Sequence, residues 1–158
     1  MAANRRKLAL IATKGALDMA YPPFILASTA VALGYEVAIF FSFYGLQLLR
    51  RNLDHIKVSP LGNPAMPMPL PMPALVAVLP GVEGLATQMM KSTMEKKGIA
   101  SIEELRSACQ QGGVRLIACD MTMNMFDLDY SDFIDGVEIG GAATFMDFAC
   151  DADIQLFV

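Results

Sequence analysis

Three cysteines, one lysine and a glycine pair are the residues of this chain best suited to chemistry, and Cys119 leads them. In "VRLIACDMTMNMF" (114–126) a short apolar run stops at Cys119 and a polar, methionine-rich segment begins. A thiolate is a strong nucleophile, and a thiol opening a helix or tight turn has backbone N–H groups facing it, which favours the anion. Asp120 acts in the opposite sense, because an adjacent carboxylate disfavours a second negative charge. Position alone leaves two readings open, a reactive thiol and a buried structural one. Lys14 closes the apolar run "KLALIAT". If both runs are parallel strands, Lys14 and Cys119 share one sheet edge, where a cation would stabilise a thiolate and attract an anionic donor; a plain surface lysine is the other reading. Gly140-Gly141 opens a further loop on that edge, where bare backbone could approach a bound group.

The remaining candidates are weaker. Cys109 shares a helical stripe with Ile102, Leu105 and Ala108, a place that suits a small core residue. Its helix ends just before the strand leading to Cys119, and about five strand residues span roughly 16 Å. A disulfide needs Cα atoms within about 7 Å, so Cys109 and Cys119 are not expected to pair within one folded chain. Cys150, near the end of the last helix, reads as structural. His55 follows "RRNLD" and reads as solvated; with a single histidine and no C-x-x-C, no zinc site is expected. "DLDYSDFIDGVE" puts Asp127, Asp129, Ser131 and Glu138 at calcium-loop positions, yet Asp132 stands where such loops need glycine, and an acidic solvated loop is preferred. G-x-G-x-x-G and Walker loops are missing, so no nucleotide site is marked. The expected cofactors are none.

The elements that must position these residues are legible as a pattern. Lys7–Thr13, Glu36–Phe43, Val114–Cys119 and Ile154–Val158 are near-continuous apolar runs, which suit strands covered on both faces. Helical patterns separate them: Asp18–Leu33, stopped by Gly34; Gly84–Lys97, with Leu85, Met89 and Met90 on one face; 101–111, where Ser101 and Glu104 form a capping box and Gly112-Gly113 a stop; and Ala142–Ala149. Alternating strands and helices predict an α/β fold, a mostly parallel sheet with helices on both faces, in a single domain over 1–158. The proline- and methionine-rich stretch 58–82, "VSPLGNPAMPMPLPMPALVAVLPGV", is too rich in proline for an inner strand and too apolar for a solvated linker. It reads as an extended arm on apolar protein surface.

Composition narrows the function classes. Of 158 residues, 54% are hydrophobic and 18% charged, against about 25% charged in soluble domains. Burial between subunits is the simplest way to cover the apolar excess, so a homo-oligomer is expected. A net charge of −4 without a dense Lys/Arg cluster argues against nucleic acid. The apolar stretches are too short or too rich in proline to span a bilayer. "MAANRRKLALIATKG" reads as a first strand rather than a signal peptide, and three irregularly spaced cysteines give no disulfide framework, which together predict a cytoplasmic protein.

Four long blocks, "TKGALDMAYPPFILASTAVALGYEVAIFFSFYGLQLL", "VSPLGNPAMPMP", "ASIEELRSACQQGGVRLIACDMTMNMF" and "DFIDGVEIGGAATFMDFACDADIQLFV", resemble the DsrE/DsrF/DsrH-like family. They are most similar to its branch of DsrE-like sulfurtransferase or "peroxiredoxin-family" proteins. The resemblance implies a flavodoxin-like homo-oligomer that carries sulfur as a cysteine persulfide and relays it among rhodanese-like or TusA-like carriers and small sulfane-sulfur donors. It also implies that the sulfur-binding residue is Cys119, with Cys109 as an accessory cysteine. The peroxiredoxin label is set aside, because the P-x-x-x-[TS]-x-x-C peroxidatic motif is missing. Two other classes compete: a thiol–disulfide redox protein using Cys119 with a second cysteine, and a non-catalytic oligomeric or membrane-surface module built on the arm.

Overall fold

The computed structural model describes residues 5–59 and 79–158. Among these residues five strands are present: β1 (Lys7–Ala12), β2 (Glu36–Phe41), β3 (Arg115–Cys119), β4 (Glu138–Gly140) and β5 (Ile154–Phe157). The helices are α1 (Leu17–Ala32), α2 (Val82–Lys96), α3 (Ile102–Gln111), α4 (Asp120–Met125) and α5 (Ala142–Ala149), with 3-10 turns at Phe43–Leu49 and Tyr130–Asp132. The strands form one sheet in the order β4-β3-β2-β1-β5, and every pairing is parallel. Parallel neighbours need crossovers, and the helices supply them. The expected α/β architecture is therefore present, with the arm of 58–82 falling, apart from its two ends, outside the described residues.

The side-chain period of two divides the strand residues between two cores. Leu8, Leu10, Val37, Ile39, Phe41, Leu116 and Ala118 join residues of α1 and α3 in the larger core, whereas Ala9, Ala38, Phe40, Ile117 and Cys119 join Phe145, Phe148 and Ala149 of α5 in the smaller, with Ile11 and Ala152 packed against it. The imbalance is geometric. One helix with its side chains is about 10–12 Å across, whereas five strands at about 4.8 Å spacing are about 19 Å wide. Helix α5 leaves part of its face uncovered. Its position is pinned at Phe148, whose ring receives Lys7 Nζ and the Arg115 guanidinium at 5.4 and 5.5 Å from its centroid.

Several expectations are corrected. Among the described residues there is one strand more than the four foreseen, because β4 is only three residues ending in glycine and exists by pairing with β3. Strand β2 stops at Phe41 and gives way to the 3-10 turn. On α2, Leu85 and Met89 are exposed; the inward face carries Ala86, Met90 and Thr87, whose hydroxyl donates to Glu83 C=O and accepts from Val58 N–H. The capping box of Ser101 and Glu104 forms as the sequence predicts. The buried stripe of α3, however, is Ile102, Arg106 and Cys109, and Ala108 is exposed.

Arg106 is buried because its guanidinium has work there. Its Nη1 donates to Leu48 C=O and Arg50 C=O, both at 2.8 Å, at the carbonyl end of the 3-10 turn that follows β2. Hydrogen bonds from a charged donor contribute about 1.5–3 kcal/mol. Arg106→Met is expected to keep the stem's packing, orphan two carbonyls and lower stability by on the order of 3 kcal/mol, measured by urea denaturation.

Candidate functional site

The carboxyl edge of the sheet is where β1, β2, β3 and β4 hand over to loops and helix starts, and Cys119 is the last residue of β3 there. It is also the residue that caps α4, with an extended backbone (φ −67°, ψ 113°), and its sulfur accepts no capping hydrogen bond. The segment after Cys119 thus begins a helix at once, as the sequence suggested. Next to it in the sheet stands Gly140, its register partner on β4. A Cβ on Gly140 would come within 2.9–3.0 Å of the Thr144 side chain, so glycine lets α5 start close against β4. Gly141 caps α5 and faces the Asp120 carboxylate, which itself accepts a hydrogen bond from Met121 N–H at 2.6 Å.

Cys119 is at the rim yet covered, being 4% exposed, in the small core with Phe40 and Phe145. Those two rings stack at 5.3 Å between centroids and also line a cavity of about 620 Å³ at the same edge, on the part of the sheet that α5 leaves bare. Ile11, Phe43, Met146 and Phe157 make that cavity apolar, and among the described residues Lys14 is the one charged residue lining it. Cys119 does not line the cavity; the Phe40 and Phe145 rings are shared between cavity and thiol cluster. Lys14 is exposed, two residues past the end of β1, and β2 lies between β1 and β3, which puts the two backbones about 10 Å apart.

Two loops are locked together to build this edge. Gly45 packs against Ala12 C=O and Gly15 against Tyr44 C=O, approaches that leave no room for a side chain. Helix α4 is tied to the end of β2 by a buried pair of hydroxyls, Ser42 Oγ and Thr122 Oγ1 at 3.2 Å, and Thr122 Oγ1 also accepts from Phe43 N–H at 3.3 Å. Phe43 is held at φ +47°, a left-handed conformation rare for an aromatic residue. Ser42, Thr122, Phe40 and Phe145 were not singled out from sequence. No local motif marks them: Phe40 joins the Cys119 cluster through the parallel pairing of β2 with β3, Phe145 through the packing of α5 on that face, and Ser42 meets Thr122 across the ends of β2 and β3.

The other cysteines are elsewhere. Cys109 is fully buried in the larger core, on the opposite face of the sheet from Cys119, and its thiol donates to Phe24 C=O at 3.6 Å. Burial pushes its pKa up to about 11. The accessory role implied by resemblance therefore meets a sheet standing between the two thiols, and all three cysteines are free. Cys150, read as structural, lies at the end of α5 and is exposed, with its thiol donating to Asp147 C=O at 3.2 Å. His55 is exposed as expected, with its pKa lowered by desolvation and by Arg50. The acidic loop uses its own carboxylates: Asp129 accepts from Ser131, Asp132 accepts from Asp129 N–H, and Glu138 pairs with Arg115 at 2.8 Å. Among the described residues no group of three acidic, histidine or cysteine side chains converges as metal ligands, and no helix is long and apolar enough to cross a membrane.

Comparison with known proteins gives consistent results. The family described as DsrE/DsrF/DrsH-like matches residues 4–157. The chain is 58% identical over 159 residues to the sulfur carrier protein DsrE2 of Allochromatium vinosum, covering 98% of this chain and 99% of that one. It is 26% identical to the uncharacterized protein YrkE of Bacillus subtilis over the full length of both. Among solved structures, the ychN protein of E. coli superposes with a TM-score of 0.54 at 15% identity, over 97% of this chain and 99% of that one, a likeness of fold.

The raised Cys109 pKa has a measurable consequence. Between the ordinary value of 9.0 and about 11 the unfolded chain releases this proton while the folded chain keeps it. The stabilisation is whole below pH 9 and is lost as pH climbs through that window, by about 1.4 kcal/mol per pH unit. Urea denaturation from pH 8 to 10.5 is expected to show the wild type losing stability more steeply than Cys109→Ala by that increment.

Proposed function

Because the chain belongs to the DsrE/DsrF/DrsH-like family, we propose that it is a sulfur carrier that holds sulfane sulfur as a persulfide on Cys119 and passes it to a partner thiol. The observation that carries this reading is the place of Cys119, last in its strand and first at a helix start, on the sheet edge where ligands of open α/β folds gather. The 58% identity to a protein named as a sulfur carrier supports it.

The chemistry needs no redox partner. The Cys119 thiolate attacks the outer sulfur of a donor persulfide, R–S–SH; the S–S bond breaks, Cys119–S–SH forms and R–S⁻ leaves. An acceptor thiolate repeats the displacement on the outer sulfur of Cys119 and restores the thiolate, the same exchange that interconverts thiols and disulfides. Helix α4 opens directly after Cys119, and its Met121 N–H is held by the Asp120 carboxylate rather than by the sulfur. Lys14, lining the apolar cavity, attracts an anionic donor. Gly140 and Gly141 keep the backbone low beside the sulfur. Protein donors and acceptors of the rhodanese-like and TusA-like kind, small sulfane-sulfur compounds, self-association and a reducing cytoplasm complete the reading, and Cys109 acts in packing. Because Cys119 is 4% exposed, loading requires the Phe40 and Phe145 rings to part.

The full-length protein incubated with inorganic polysulfide is expected to gain the mass of added sulfur atoms in intact-mass measurements. Cys119→Ser is expected to abolish the stable adduct and Cys109→Ser to leave it unchanged. Retention of the adduct in Cys119→Ser contradicts the reading. Loss of two hydrogens per chain, dependent on Cys119 and a second cysteine, favours thiol–disulfide chemistry instead.

A further inference from the structure

Strand β5 is an unprotected sheet edge. It pairs with β1 on one side, and among the described residues no strand pairs with the other. Edge strands are ordinarily defended by lysine, proline, a bulge or short length. The opposite edge, β4, follows the rule: three residues, one of them Glu138, held by Arg115. Strand β5 carries no charge and no proline, and Ile154, Leu156 and Phe157 are 39%, 41% and 69% exposed.

The ladder fixes which backbone groups are free. The carbonyls of Lys7 and Ile11 turn toward β5, accepting from Asp153 N–H at 3.0 Å and Val158 N–H at 2.9 Å. With Leu8 opposite Ile154 and Leu10 opposite Leu156, the backbone groups of Ile154 and Leu156 point to β1, and those of Gln155 and Phe157 point outward.

We propose that two copies of this chain pair through β5, antiparallel about a two-fold axis at Leu156, joining their five-stranded sheets into one of ten. Gln155 of each copy exchanges backbone hydrogen bonds with Phe157 of the other, and Leu156 meets its own counterpart as a non-hydrogen-bonded pair. On the α1 side of the sheet, Ile154 then faces Val158 of the second copy; on the α5 side, Gln155 faces Phe157. Every cross-strand pair is apolar or neutral. The carboxylates that precede β5 are engaged within their own copy, Asp151 by Lys7 Nζ at 3.9 Å and Asp153 by Lys7 N–H at 2.7 Å. A two-fold pair consumes the edge in both partners and closes the assembly. It also seats the second copy against Phe157, which lines the cavity beside the Cys119 cluster. The inference rests on the self-association proposed above and names its surface.

Light scattering coupled to size exclusion on the full chain is expected to give an even number of subunits. Leu156→Lys sets two like charges across the axis and is expected to halve the mass while the far-ultraviolet circular dichroism stays native. Leu156→Cys in a Cys150→Ser background is expected to cross-link chains under mild oxidation, because a non-hydrogen-bonded pair has Cα atoms about 4.5 Å apart. A monomeric wild type overturns self-association and this edge together. An assembly untouched by Leu156→Lys and without the cross-link overturns this edge alone. Neither result bears on persulfide loading, which is read by mass.

Discussion

A parallel sheet is stable only when both faces are covered, and here the covering is unequal. Helices α1 and α3 close one face of the five strands, whereas α5, eight residues long, is the helix on the other. The apolar cavity, the exposed rings of Phe43 and Phe157, and the high apolar share of the chain all express that shortfall. The same short helix covers Cys119. One constraint thus shields the thiol and leaves beside it a space large enough for a ligand, within the range of typical small-molecule cavities.

The sheet also decides which thiols can cooperate. Leu116 and Ala118 face one core while Ile117 and Cys119 face the other, and Cys109 belongs to the first. The alternation of one strand therefore separates the two buried cysteines more firmly than distance along the chain. That separation suits a carrier, which uses one sulfur atom at a time, better than an intrachain disulfide switch. Around Cys119 the supporting contacts are polar where they fix geometry, as between Ser42 and Thr122, and apolar where they exclude water, as between Phe40 and Phe145.

Much of this was legible in the sequence. Apolar runs without alternation identify β1, β2, β3 and β5, and the end of "VRLIAC" places Cys119 on the carboxyl edge. The Ser101–Glu104 box fixes the start of α3, since capping is local chemistry. What failed depended on distant partners. Periodicity puts Leu85 and Met89 on one face of α2 but does not say which face meets the core; Ala86 and Met90 pack there, and Thr87 accepts from Val58 N–H. No local pattern marks Arg106 for burial, since the Leu48 and Arg50 carbonyls that hold it come from a distant turn. Cys150 is apolar by type, yet it lies past the end of α5, where no layer remains to bury it. The cavity is assembled from β1, β2, α5 and β5, segments far apart in the chain, so no single stretch announces it.

The central claim is that one sulfur atom does the carrying. The most direct measurement loads the native protein with isotopically labelled sulfane sulfur, traps persulfides by alkylation, and locates the label by peptide fragmentation that separates Cys119 from Cys150, before and after adding an acceptor thiol. The account predicts label on Cys119 that leaves when the acceptor is added. Label residing on the exposed Cys150, or label on Cys119 that no acceptor removes, would contradict it.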